Sequence, residues 1–260
     1  MKNTALAQNG ANGRFRLEFA GRRCLWILGL LLLATGIALR MSVMTSWVRA
    51  VVAATLIFAV FTGFVHLAKL FQAQPKTLYP AIFILALTVL WATLGSKPPD
   101  MAGLRSGYIK ELKAHIGRKY VWGGETGAGI DCSGLARAAL WQAMLKEGVR
   151  QLNPRLLGPT LWKFWWRDMS VRDMAESRYG YTVKLGTAPK LAGNDCSGYQ
   201  PGDLAVVGEY HVLIYLGQDK WIEANPDDGK VAVNKSDSSS KRPYFNAHVT
   251  LMRWWILREE

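Results

Sequence analysis

Three side chains in this 260-residue chain suit one nucleophilic reaction: Cys132, His211 and Glu223. A cysteine attacks as thiolate, and it needs an imidazole to exchange the proton and a third polar group to fix the imidazole tautomer. Cys132 stands in Asp131-Cys132-Ser133-Gly134-Leu135. Behind it, Leu135, Ala138, Ala139, Ala143, Met144 and Leu145 recur at helical spacing as far as Gly148. The thiol therefore opens a helix, where unpaired backbone N–H groups and the positive end of the macrodipole favour thiolate. Before it, Tyr120-Val121-Trp122-Gly123-Gly124 leads into a glycine-rich turn over 125–130, which leaves room for a substrate backbone.

His211 begins the apolar run His211-Val212-Leu213-Ile214-Tyr215-Leu216-Gly217, which reads as a buried strand. A Gln218-Asp219 turn follows, and Lys220-Trp221-Ile222-Glu223-Ala224 pairs back as a hairpin. Glu223, twelve residues past His211, then falls on the same sheet face, where a carboxylate would orient the ring and favour imidazolium. Asn225 shares that face and is the alternative orienter. A second Asp-Cys-Ser-Gly, at 195–198, runs into Pro201-Gly202, so no helix starts at Cys196 and it lacks the nucleophile's setting. Cys24 is read as inert, His115 as a packing or solvent-facing residue and Asp203 as a turn closer; His66 and His248 have no visible partners. No spacing of His and Cys suggests a metal site, and no cofactor is implied.

The elements that must position these groups are a helix through Leu104, Tyr108, Leu112 and Ile116, the Cys132 helix, and strands over 204–207, 210–217, 220–224, 231–233 and 247–257. Residues 149–198 form a long insert between the Cys132 helix and the sheet. It holds Leu161-Trp162-Lys163-Phe164-Trp165-Trp166-Arg167 and a second helical stretch from Met169 to Tyr181. Its aromatic residues suit a packed core, or alternatively a binding lip or a membrane-surface patch. Ser236–Arg242 reads as a mobile basic surface loop.

The stretches YVWGGETGAGIDCSGL, QPGDLAVV and HVLIYLG…WIEA, in this order, resemble the NlpC family of papain-like cysteine peptidases. The resemblance implies an α+β papain-like fold and hydrolysis of amide bonds in peptidoglycan stem peptides, often between D-glutamate and diaminopimelate. It puts the nucleophile on Cys132, the base on His211 and the third residue on Glu223, where the family usually has His, Asn or Gln. It also implies that Tyr120, Asp131 and Ser133 bind the free amine of a stem peptide. Two other functions fit the same scaffold: a lipid acyltransferase or thioesterase, and an inactive wall-binding module. Many such acyltransferases place His before Cys, unlike this chain.

The first part of the chain differs in kind. Residues 1–96 carry nine of the 32 Lys and Arg but one of the 19 acidic residues. Three apolar runs, Cys24–Leu39, Ala50–Val65 and Leu78–Leu94, are flanked by basic residues and have no polar face. Each is a little under the ~20 residues that span a bilayer, and flanking residues extend them. The expected organisation is a basic tail over 1–22, a three-span transmembrane anchor over 23–96 and a catalytic domain over 97–260. The clustered Arg14, Arg16, Arg22 and Arg23 argue for a cytoplasmic N-terminus, which places 97–260 on the extracytoplasmic side of the inner membrane. The expected partners are a peptidoglycan stem peptide and, through the three helices, membrane lipid. Nucleic acid is not among them, because the basic residues flank apolar runs and do not interleave with polar ones.

Overall fold

The computed structural model describes residues 26–38, 40–73, 78–93 and 98–258. The basic tail 1–22, Cys24, Lys76 and Lys97 lie outside the described residues. The chain divides into two compact units. One contains 26–38 and Ser46–Thr88, and the other joins Met41–Thr45 to the chain from Val89 onward.

The first unit is helical: α1 (Trp26–Ala38), α2 (Ser46–Ala73) and α3 (Leu78–Thr93), whose last residues pass into the second unit. Thr35 Oγ1 and Thr55 Oγ1 lie 2.7 Å apart and tie α1 to α2. The apolar residues spread over all sides of α2 and α3. Ile57, Val60, Phe61 and Phe64 on α2 and Ile82, Phe83, Ile84 and Leu85 on α3 are all exposed. Among the described residues, one helix, Ser46–Ala68, is long and apolar enough to cross a membrane; Trp26–Ala38 and Tyr79–Trp91 are shorter.

The second unit is an α+β domain built as helices on an antiparallel sheet. Helix α4 (Met101–Ala114) is capped by Asp100, which accepts from Gly103 N. It packs on α5 (Cys132–Gln151) through Leu104, Tyr108 and Leu112. The hairpin β1 (Glu125–Thr126) and β2 (Gly129–Ile130) precedes α5. The main sheet has six strands: β3 (Thr182–Ala188), β4 (Leu204–Val207), β5 (His211–Gly217), β6 (Lys220–Asn225), β7 (Lys230–Lys235) and β8 (Val249–Trp254). Their order is β3-β8-β4-β5-β6-β7, with antiparallel pairing throughout.

Strand alternation separates two cores. Leu204, Val206, Val212, Ile214, Ile222, Met252 and Trp254 face α4 and α5. Ala205, Val207, Leu213, Tyr215, Trp221 and Leu251 face the other way, onto Leu191, Cys196 and Phe245. Buried Asp203 closes the turn before β4 by accepting from Gln200 N at 2.8 Å. It also makes a two-point ion pair with Arg253, at 2.6 and 2.8 Å, which ties β4 to β8.

The insert departs from the sequence expectation. Its helices are α6 (Pro154–Leu157), α7 (Pro159–Trp166) and α8 (Val171–Ala175), and the chain then becomes edge strand β3. A helix running through 169–181 does not form. The capping box of Ser170 and Asp173 starts α8, Ser177 takes a positive φ, and Gly180 turns the chain into β3. The aromatic stretch is largely core. Phe164 packs edge-on against Tyr181 and Trp254 at ring distances of 5.2 and 5.6 Å, leaving Trp162 and Trp166 exposed. Helix α5 also runs past Gly148 to Gln151 and ends on Leu152 in the left-handed region.

Candidate active site

The nucleophile candidate sits where expected, as the first residue of α5. Asp131 caps the helix: Oδ1 accepts from Gly134 N at 2.6 Å and from Ser133 Oγ at 3.0 Å, and Oδ2 accepts from Gly123 N at 2.8 Å. Gly134 is required here, because a Cβ would lie 2.1 Å from the Gly124 carbonyl oxygen. The glycines thus bring the loop strand down onto the first turn of the helix, and Asp131 clamps the two together.

The thiol's environment differs from the simple helix-start expectation. Cys132 is 5% exposed, and burial, with the Asp131 charge second, pushes its thiol up to about 12. The N–H groups of Val212, Ser133 and Cys132 act in the opposite direction without overcoming this. Sγ donates weakly to Tyr210 O at 3.8 Å. The thiol therefore lies against the backbone on both sides of His211, between the Tyr210 carbonyl and the Val212 N–H. In such a place thiolate needs a cation beside it.

The imidazole and its orienter are both buried. His211 Nε2 lies 2.7 Å from Glu223 Oε2. Continuing the Ile214–Ile222 register sets Asn225 opposite His211 and Glu223 on the diagonal. The diagonal residue makes the bond, because Asn225 Oδ1 accepts from Asp227 N at 2.8 Å and closes the turn after β6. Glu223 is itself held by Asn234 Nδ2, which donates to Oε1 at 3.0 Å, and by Arg242, whose Nη1 lies 3.7 Å from Oε1. Arg242 also pairs with Asp228 at 2.8 Å. Tyr244 stacks on the ring of His211, with centroids 3.8 Å apart and planes 16° apart.

Of the proposed amine-binding residues, Asp131 and Ser133 bond to each other, and three of the lone-pair sites on Asp131 are engaged by the chain. Its carboxyl is pushed above its ordinary value, mainly by burial. Tyr120 is half-buried, and its phenol is pushed up to about 12 by burial and by the nearby Cys132, Asp131 and Tyr244. Tyr120 thus stands near Cys132, Asp131 and Tyr244, and Trp122 and Tyr210 are exposed.

Asn234, Arg242 and Tyr244 escaped the sequence reading. Arg242 lies in the stretch expected to be a mobile loop, yet that stretch is fixed at both ends. Buried Ser236 accepts from Trp221 Nε1 at 3.2 Å, and Arg242 reaches Glu223 and Asp228. Cys196 has no helix behind it. It is buried in the second core, and burial pushes its thiol up to about 11. Among the described residues no group of His, Cys, Asp and Glu could hold a metal ion.

Comparison with solved structures finds an NlpC/P60 family protein of Bacillus cereus at 18% identity, covering 58% of this chain and 40% of that one, with a TM-score of 0.37. The P60 domain of an antigen from M. avium subspecies paratuberculosis is similar at 20% identity over 61% of this chain and 98% of that one (TM-score 0.37). The peptidoglycan hydrolase RipB of Mycobacterium tuberculosis is similar at 24% identity over 62% and 70% (TM-score 0.36). This chain thus spans less than half of the Bacillus cereus protein. Residues 117–155, from the turn before Tyr120 to the end of the Cys132 helix and the start of α6, match the NlpC/P60 family.

Proposed function

We propose that this protein is a membrane-anchored cysteine peptidase that hydrolyses an amide bond in peptidoglycan stem peptides, the D-glutamyl-diaminopimelate bond being the first candidate. The observation that carries this reading is the placement of Cys132 in the first turn of α5, against the backbone of a His211 already paired with Glu223. Glu223 accepts the Nε2 proton, so Nδ1 is the ring nitrogen left to act as base. Nδ1 takes the thiol proton, and the thiolate attacks the scissile carbonyl. The N–H groups at the start of α5 hold the oxyanion, and the imidazolium protonates the departing amine. Water then adds to the thioester with the ring as base, which releases the acid and restores the thiol.

Tyr120, Asp131 and Ser133 stand beside Cys132 and supply acceptors for the free amine of a stem peptide. The anchor reading draws support from the exposed apolar surface of α2 and α3. It also draws support from a parity argument. Met41–Thr45 folds with the unit that holds Cys132, so whatever crossing α2 makes must be reversed before residue 98. The apolar helix available for that return is α3. With a cytoplasmic N-terminus, the peptidase unit then lies outside the cytoplasm, where its substrate is.

The test is mass spectrometry of purified muropeptides incubated with the full chain in detergent. Fragments cut between D-glutamate and diaminopimelate support the reading. Intact stem peptides in the presence of folded enzyme would falsify it, and transfer of an acyl chain from added phospholipid would favour the acyltransferase alternative.

A further inference from the structure

We infer that Met41–Thr45, the link between the two apolar helices α1 and α2, is a working part of the peptidase site, because it positions the glycine-rich strand that fixes Asp131 and, through it, Cys132. This deepens the peptidase reading and rests on it for its catalytic consequence.

The contacts lie within one folded unit. Val43 pairs with Gly124 in an antiparallel bridge. Glu125 N donates to Ser42 O at 2.9 Å, and Thr126 Oγ1 donates to Met41 O at 2.9 Å. Strand β1 has two residues, and β2 on its other side has two. A hairpin that short holds little structure in water by itself; a third strand makes such a unit stable. Residues 119–121 take such a place beside β2, pairing with Ile130, and residues 41–43 take the corresponding place on the open side of β1.

The strand so held carries the groups that set the nucleophile. Gly123 has φ +71°, a conformation suited to glycine, and from it donates to Asp131 Oδ2 at 2.8 Å. A Cβ on Gly123 would meet Val43 at 3.4 Å, so Val43 backs this turn directly. Gly124 O accepts from Asp131 N at 3.0 Å, and the side chain of Glu125 pairs with Arg137 in the second turn of α5. The path from Val43 to Cys132 therefore runs through one backbone strand and one capping carboxylate. Ser42 and Val43 are positioning residues: they act through Gly123, Gly124 and Glu125, and they set where the first turn of α5 sits against the backbone beside His211.

The experiment uses the full chain in detergent. In the register of Val43 with Gly124, Met41 falls opposite Thr126 as a non-hydrogen-bonded pair, for which Cα atoms lie about 4.5 Å apart, within disulfide reach. Met41→Cys with Thr126→Cys should oxidise to a 41–126 cross-link, identified by peptide mass spectrometry. A loosened variant, Ser42→Gly with Val43→Gly, should lower kcat roughly tenfold with KM within about twofold, since small displacements of a reacting group are costly. Its Cys132 should react with iodoacetamide several-fold differently from wild type, read on the Cys132 peptide. Adding the cross-link to the loosened variant should restore at least half of the lost kcat and return the alkylation rate towards wild type. A Cys pair that stays reduced overturns the inference. So does a folded, loosened variant with wild-type kcat and wild-type alkylation. If no form of the enzyme cuts stem peptides, the peptidase reading fails, and cross-linking with Cys132 alkylation still decides whether this link positions the nucleophile.

Discussion

Glu223 Oε2 stands 2.7 Å from His211 Nε2, with both side chains buried, and it reaches the ring from the diagonal position of the neighbouring strand. A buried carboxylate with Asn234 on its other oxygen is a fixed acceptor, and it sets the ring tautomer. Glu223→Ala should therefore lower kcat on a stem tripeptide by about 10²-fold or more, as for other lost orienters. Glu223→Gln should retain partial activity, since its amide oxygen still accepts the ring N–H. Asn225→Ala should stay within a few-fold of wild type, because Asn225 closes a turn. Kinetics of the three variants check this, and a crippled Asn225→Ala beside a healthy Glu223→Ala would reverse the assignment.

Tyr244 covers one face of the imidazole at 3.8 Å. Stacking limits ring rotation and keeps water from the His211–Glu223 bond. Tyr244→Phe should keep near wild-type kcat, and Tyr244→Ala should lose about fivefold, on the scale of a stacking contact worth about 1 kcal/mol. A phenylalanine variant as damaged as the alanine one would instead give the hydroxyl a part in binding or chemistry.

The buried His115 gives a pH dependence to the fold. Burial, with the charge of Arg118 second, lowers its pKa to about 4, below the ordinary 6.5. Between these values the unfolded chain binds more protons than the folded one, so stability is fully present above pH 6.5 and falls as pH drops towards 4. Urea midpoints of wild type and His115→Asn should converge at acid pH, the wild type losing more between pH 6.5 and 4. Parallel curves would contradict the assignment.

Much of the site was legible because its signals are local. The glycines, Asp131 and the apolar spacing after Cys132 occupy one stretch, and the hairpin carrying His211 and Glu223 is closed by a two-residue turn. What escaped depends on contacts distant in sequence. Asn234 and Tyr244 belong to later elements and become meaningful only once β7 pairs with β6 and the chain after Ser236 folds over His211. Edge strand β3 was hidden because Lys184, Leu185 and Thr187 leave no clean alternation next to a helical segment. The seat of Met41–Thr45 on Gly124 was invisible for a similar reason: neither segment carries a side-chain pattern for a pairing that runs through backbone groups.

The same seat gives the proposed membrane anchor a test. A cysteine introduced at Ser42 and a reporter fused after residue 260 should report the same, extracytoplasmic, compartment. Opposite compartments for the two would contradict the fold of Met41–Thr45 onto the peptidase unit, and a shared cytoplasmic location would remove peptidoglycan as substrate.

The most direct measurement of the central claim compares two thiols. Full-length Cys132→Ala and Cys196→Ala, each shown to be folded, are assayed for release of the amine product from a stem peptide. The account predicts no detectable release by Cys132→Ala and most of the wild-type rate in Cys196→Ala, since the Cys132 thiol lies against the backbone beside His211, whereas the Cys196 thiol is turned to the Asn194 carbonyl. Wild-type release by Cys132→Ala, or equal loss in both variants, would contradict it.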